Sequence, residues 1–138
     1  MSTSTSTATL TDTEVVRAFF QAVANADRAA LGDLFHADAT WRHRNDDRLG
    51  GTHNSSAAIM AYLAESGQLT AGTLRAVPQL IMADGQGHVS VLVRLSATRP
   101  DGRSMDGPQL VLFTIDGGRV RSIDQFVGDP AAVAAFWA

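Results

Sequence analysis

The sequence predicts an α+β fold in which helices cover one face of a curved antiparallel sheet. Three observations carry this. Apolar residues recur at helical spacing in the first half, strand-like alternation fills most of the second, and tight-turn dipeptides punctuate that second part. Helices first and a long meander after them is the α+β order. With 138 residues, 45% of them hydrophobic and 18% charged, the chain can bury a real core. No repeat or linker divides it. Residues 13–138 read as one domain, and residues 1–12, polar and Ser/Thr-rich, as a flexible tail.

Each element has its local reason. Thr11 or Thr13 can cap a first helix with Val15, Val16, Phe19, Phe20 and Val23 on one stripe. Asn25 to Asp27 breaks it, and Asp27 can cap a short second helix turning Leu31, Leu34 and Phe35 inward. Asp38 then opens the strand "ATWRHR", and "NDDRLGG" reads as a loop. Asn54, Ser55 or Ser56 caps a third helix that buries Ile59, Tyr62 and Leu63 and ends near Gly67. Four strands follow: "TLRAVPQLIMA", whose Pro78 marks an edge or a bulge, "HVSVLVRLSAT", "QLVLFTI" and "RVRSIDQFV". The turns between them are "DGQG", "RPDGR" and "DGG". Asp129 and Pro130 start a terminal helix that packs Val133, Phe136 and Trp137 back.

Composition excludes several functions. A formal charge of −3 gives no electrostatic footprint for nucleic acid. No apolar run approaches the roughly 20 residues of a membrane helix. All 11 basic residues are Arg, and there is no Cys for a disulfide, a thiol nucleophile or a thiolate metal site. No dinucleotide, P-loop or serine-hydrolase fingerprint occurs, so no cofactor is expected. The opening carries neither a basic patch nor an apolar segment, and a cytoplasmic location is the expectation.

Two stretches, "VVRAFFQAVANADRAALGDLFHADATWRH" and "LFTIDGGRVRSIDQFVGDPAAVAAFW", resemble the nuclear transport factor two-like superfamily. More narrowly they resemble its SnoaL-like members, relatives of ketosteroid isomerase, limonene epoxide hydrolase and polyketide cyclases. The resemblance runs from about Thr13 to Trp137. It implies a cone: a curved sheet wrapped around helices, a pocket at the wide end for a small hydrophobic organic molecule, and an outer face that forms a homodimer. A curved sheet cannot close on three short helices, which supports the pocket independently.

The same resemblance assigns positions. Through the shared "DAT" step it puts the isomerase base on His43 and the isomerase tyrosine on Phe19. Counting from "GGRV" puts the oxyanion acid on Leu110, with Gln109 beside it, and the epoxide hydrolase carboxylate on Gln125. Every expected carboxylate is replaced, so neither parent reaction carries over intact.

Read from the residues themselves, His43 is either a proton-transfer group, since imidazole titrates near neutral pH, or a rim histidine bonded to a loop. Trp41 shares its face as pocket wall or core. Tyr62 is the single tyrosine and so the one phenol available to the hollow. Gln125 shares a face with Ile123 unless a bulge brings Asp124 inward. Arg94 falls on the outer face if Val89, Val91 and Val93 face the core. His53, near Asp46 and Asp47, raises a metal question, but the spacing is irregular and a solvated lid loop fits better, with His53 closing over a ligand; no metal site is expected.

The expected function is a small-molecule pocket protein performing cofactor-free acid–base chemistry (isomerase, cyclase or hydratase/epoxide hydrolase type) on a polyketide- or terpenoid-like compound. His43 is the candidate catalytic group. Trp41, Phe19, Tyr62, His53, Gln109, Leu110, Ile123 and Gln125 are the candidate binding residues. A non-catalytic binding module or a dimeric scaffold of the same fold is the rival.

Overall fold

The computed structural model describes residues 11–138. The tail expected at residues 1–12 lies almost wholly outside them, and its last two residues already belong to a helix start. Thr11 caps α1 (Asp12–Ala24): its hydroxyl accepts from Glu14 N at 3.2 Å while Glu14 returns a carboxylate to Thr11 N at 2.9 Å. This reciprocal capping box satisfies two donors that a helix start leaves free. Asp27 caps α2 (Arg28–Asp33) through Ala30 N, Ser55 caps α3 (Ser56–Leu69) through Ala58 N, and Asp129 caps α4 (Pro130–Trp137) through Ala132 N. No described helix is long and apolar enough to cross a membrane.

Six strands form one curved, unclosed sheet in the order β2-β1-β6-β5-β4-β3. They are β1 (Phe35–Arg44), β2 (Gly51–Asn54), β3 (Arg75–Ala83), β4 (His88–Thr98), β5 (Ser104–Asp116) and β6 (Arg119–Val127). The meander β3 to β6 is antiparallel throughout. Pro78 lies on the open edge strand β3, with a register shift between Pro78 and Leu80, as its missing N–H requires.

Three features depart from the local reading. β1 begins at Phe35 and pairs parallel with β6; the short residues around Asp38 bridge a register shift instead of starting the strand. His36 therefore sits on β1, donating from Nε2 to the Asp116 carbonyl at 2.7 Å. The end of the presumed loop is β2, which places His53 opposite Trp41.

The core lies between α1 and the concave face of the sheet. Val15, Val16, Phe19 and Phe20 meet Val89, Val91, Phe113 and Ile123, all buried. Phe19 and Phe113 pack edge-on with centroids 5.3 Å apart. Each such side chain contributes about 1.5–3 kcal/mol by leaving water.

Candidate functional site

Alternation along three strands assembles the site. β1 turns Trp41 and His43 inward, β6 turns Ile123 and Gln125 inward, and β5 turns Gln109 and Val111 inward, while Arg42, Asp124 and Leu110 face outward or toward the rim. From the opposite side α3 presents Tyr62. Trp41, His43, Tyr62, Gln109 and Gln125 are all buried, and their polar atoms form one continuous chain.

Hydrogen-bond chemistry orients that chain. The Trp41 indole can only donate, and it donates to Gln125 Oε1 at 3.0 Å. This fixes which end of the Gln125 amide is oxygen. Tyr62 donates its single proton to the same oxygen at 2.9 Å, and Gln125 Nε2 donates to Gln109 Oε1 at 2.6 Å. With the phenol proton committed, His43 Nδ1, 3.0 Å from the phenol oxygen, is the donor of that contact. On its other side His43 Nε2 meets Asp47 Oδ2 at 2.8 Å, so one proton lies between imidazole and carboxylate. Asp47 also accepts from Asn45 Nδ2 and from Leu49 N, each at 2.8 Å.

Asp47 reaches this place because residues 45–50 form a tight, built turn. Gly50 N donates to the Asp47 carbonyl at 3.0 Å, and a Cβ at Gly50 would collide with the Asn45 carbonyl oxygen. The loop read as a solvated lid instead delivers a carboxylate whose side chain is 0% exposed against a histidine side chain that is 1% exposed. Burial, and then the Asp47 charge, push the Tyr62 phenol above its ordinary range, so it is held as an O–H donor.

These groups floor a hollow of about 70 Å³ walled by Phe19, Val23, Leu63, Leu74, Val93 and Val111. That is room for a small organic group or a few waters. Val23, Leu63, Ser66 and Leu74 also border a larger groove of about 400 Å³ running between α1, α2 and α3. Trp137 of α4 closes another wall of the hollow. Its helix is held at the C-terminal end by Arg99 and Arg103, which donate to backbone oxygens of Phe136 and Ala138. Where β6 turns into α4, Gly128 packs so closely on Pro108 that a Cβ would lie 2.5 Å from its carbonyl oxygen.

A family model, the SnoaL-like domain, matches residues 16–123. The chain belongs to the SnoaL-like family. The uncharacterized protein Rv0034 of Mycobacterium tuberculosis is 30% identical over 127 residues, covering 92% of this chain and 96% of that protein. Among solved structures, Bal32a from a soil-derived mobile gene cassette superposes with a TM-score of 0.89 at 29% identity, covering 92% of this chain and 96% of Bal32a. SalBIII, an epoxide hydrolase/cyclase-like enzyme of pyran ring formation in the polyether salinomycin, superposes with a TM-score of 0.70. Its identity is 22%, with 85% of this chain and 90% of SalBIII covered, so it is similar in fold alone.

In this SnoaL-like chain several candidate residues stand elsewhere than expected. Leu110 is 45% exposed on the outer face, because its neighbour Gln109 takes the inward position of the alternation. Ile123 is core, paired with Phe113 across the β5–β6 ladder, and does not border the hollow. His53 stacks on Tyr62, with centroids 4.4 Å apart, and backs the phenol instead of closing over a ligand. Asp124 points outward to Arg44 at 2.9 Å, and Arg94 to Asp106 at 2.9 Å. Asp47 was missed, although the four-residue spacing from His43 across "RNDD" was a usable signal.

Proposed function

We propose that this protein is a cofactor-free acid–base enzyme of the isomerase or cyclase type, acting on a small, largely apolar polyketide- or terpenoid-like compound. The observation that carries the proposal is the buried Asp47–His43–Tyr62 relay beneath an apolar hollow. A phenol held in its protonated form can donate to an oxygen that becomes more basic than phenolate as charge builds on it. On binding, an oxygen of the compound replaces Gln125 Oε1 as acceptor of the Tyr62 proton. As bond reorganisation builds charge on that oxygen, Tyr62 transfers the proton and His43 Nδ1–H restores the phenol; the proton that the compound releases as it rearranges returns through the same two groups, so enzyme and compound end with the protons they began with. Asp47 keeps the imidazole oriented, while Trp41 and Gln125 fix the phenol's position. His43 thus supplies protons through Tyr62, in place of the direct base role expected of it. SalBIII, the epoxide hydrolase/cyclase-like enzyme that shares this fold, supports the reaction class.

The test is mass spectrometry of small molecules that co-purify with the protein, followed by turnover of the captured compound. Tyr62→Phe is expected to lower turnover at least 100-fold while binding persists. Unchanged turnover overturns the relay. Stoichiometric capture with no product favours the binding-module reading, to which a hollow wall without a carboxylate among the described residues also points.

The expected homodimer has a specific surface. Leu80, Leu92, Leu110 and Phe126 line up across β3, β4, β5 and β6 on the outer face, and three of them are 40–61% exposed. A second copy seated on this row buries it. Light scattering is expected to give twice the chain mass for the wild type and the single-chain mass for Leu110→Asp combined with Phe126→Asp.

A further inference from the structure

The groove between α1, α2 and α3 carries guanidinium groups and no carboxylate among its described lining residues. Arg28 and Arg75 border it beside apolar side chains such as Leu31, Met60 and Leu63. The bonds of Arg75 place its guanidinium at that wall. Its Nη1 donates to the Gly72 and Leu74 carbonyl oxygens, each at 2.9 Å, and both of those residues border the groove as well. These bonds anchor the group just after α3 without using Nε and Nη2. Those two nitrogens share one edge of the planar group, and their parallel N–H bonds match the two oxygens of a carboxylate. Elsewhere in this protein the same edge takes one. Nε and Nη2 of Arg44 meet Asp124, those of Arg94 meet Asp106 and those of Arg103 meet Asp101, all between 2.7 and 3.1 Å. On Arg75 that edge meets no partner among the described residues.

The groove also adjoins the hollow. Val23, Leu63, Ser66 and Leu74 border both, and Leu74 directly precedes Arg75, their Cα atoms about 3.8 Å apart. A carboxylate held at Arg75 thus has its carbon chain beside the boundary. The hollow, about 70 Å³, takes a small end group, and the groove, about 400 Å³, takes the rest. We infer that Arg75 binds the carboxylate of an amphipathic organic acid whose remote, largely apolar end enters the hollow, with Arg28 adding to the positive potential of the groove. This rests on the reading of the hollow as a small-molecule site but not on the proton relay. A cationic compound is repelled by both guanidinium groups, and a neutral one leaves the Arg75 edge to water. Arg75 therefore determines specificity: it selects an acid and presents the end far from the carboxylate to Tyr62.

Citronellate and citronellol share one branched terpenoid skeleton and end in a carboxylate and an alcohol. They are the probes, titrated at neutral pH while the methyl signals of Val93 and Val111, which border the hollow and not the groove, report its occupancy. Arg75→Met, which keeps an apolar stem, is expected to weaken citronellate about fivefold or more and citronellol less than about twofold. Added sodium chloride is expected to weaken citronellate on the unmutated protein and to leave citronellol as it was. If both probes move those methyls but citronellate ignores the substitution and the salt, the anion site is wrong while the hollow stands. If Arg75→Met weakens both probes alike, Arg75 only shapes the groove and the anion site is again wrong. If neither probe moves the methyls, the small-molecule reading of the hollow fails and this inference with it. Because the salt response is read on the unmutated protein, a folding defect in Arg75→Met does not blur the result.

Discussion

On β6, consecutive side chains serve opposite surfaces. Ile123 and Gln125 turn into the concave face, where Gln125 sits in a polar chain surrounded by aromatic and aliphatic walls. Asp124 and Phe126 turn outward, where Asp124 pairs with Arg44 and the same guanidinium lies 5.2 Å over the Phe126 ring. The inner face thus holds polar groups amid apolar ones, and the outer face an apolar row amid ion pairs. Each departs from the ordinary rule of greasy inside and polar outside at one place. Local departures of that kind mark function more often than stability. One is the candidate chemical site, the other the candidate contact with a second copy.

The comparison breaks most visibly at Asp47. Removing one partner of a buried pair strands the other, so Asp47→Ala is expected to cost about 3–5 kcal/mol in urea unfolding. A loss below about 1 kcal/mol would mean that the pair with His43 is not held as a unit. Ile123→Ala, emptying packed space on the inner face, is expected to cost about 2–5 kcal/mol. Leu110→Ala, on the outer face of the same sheet, should stay within about 0.5 kcal/mol when measured at concentrations that keep the chain single.

Tyr62→Phe leaves the His43 Nδ1 donor without its acceptor and is expected to cost about 1–3 kcal/mol. Tyr62 also sharpens the contrast by pH. Burial raises its phenol above the ordinary 10.0, so the folded state keeps a proton that the unfolded chain gives up. Stability from this source is whole below pH 10 and declines as pH climbs beyond it. Since the chain has one tyrosine, tyrosinate absorbance in an alkaline titration should appear together with unfolding and not before it. The smallest effect lies on the surface hairpin. Asp101, lowered to about 2 by the Arg103 side chain and backbone, adds stability that is present above its ordinary pKa and fades as pH falls toward 2. Asp101→Asn should flatten that acid limb slightly and change nothing at neutral pH.

Much of the architecture was legible because its causes are local. Thr11, Asp27, Ser55 and Asp129 cap helices through their own neighbours within three residues, and strict alternation was enough to turn Gln125 inward and Asp124 outward. What stayed hidden depends on partners distant in sequence. The parallel pairing of β1 with β6 joins segments some eighty residues apart, and no periodicity within either segment encodes it. β2 is four residues long and largely exposed, too short to carry a pattern. Asp47 looked solvated because its burial comes from the fold of the turn around Gly50, not from hydrophobic neighbours in the chain. Trp137 was legible as a packing residue; that its indole nitrogen has no partner among the described residues depends on the fold around it.

Gly128 gives the hollow an unexpected governor. The strand of β6 and the wall formed by α4 meet at a joint where even a methyl group would strike the Pro108 backbone. Enlarging that residue would push the last helix outward as a lever and carry the Trp137 ring with it. The width of the hollow is therefore tunable from a residue that does not itself line it. A larger residue at this joint is expected to change the size of the hollow while leaving the contacts of Asp47, His43 and Tyr62 in place.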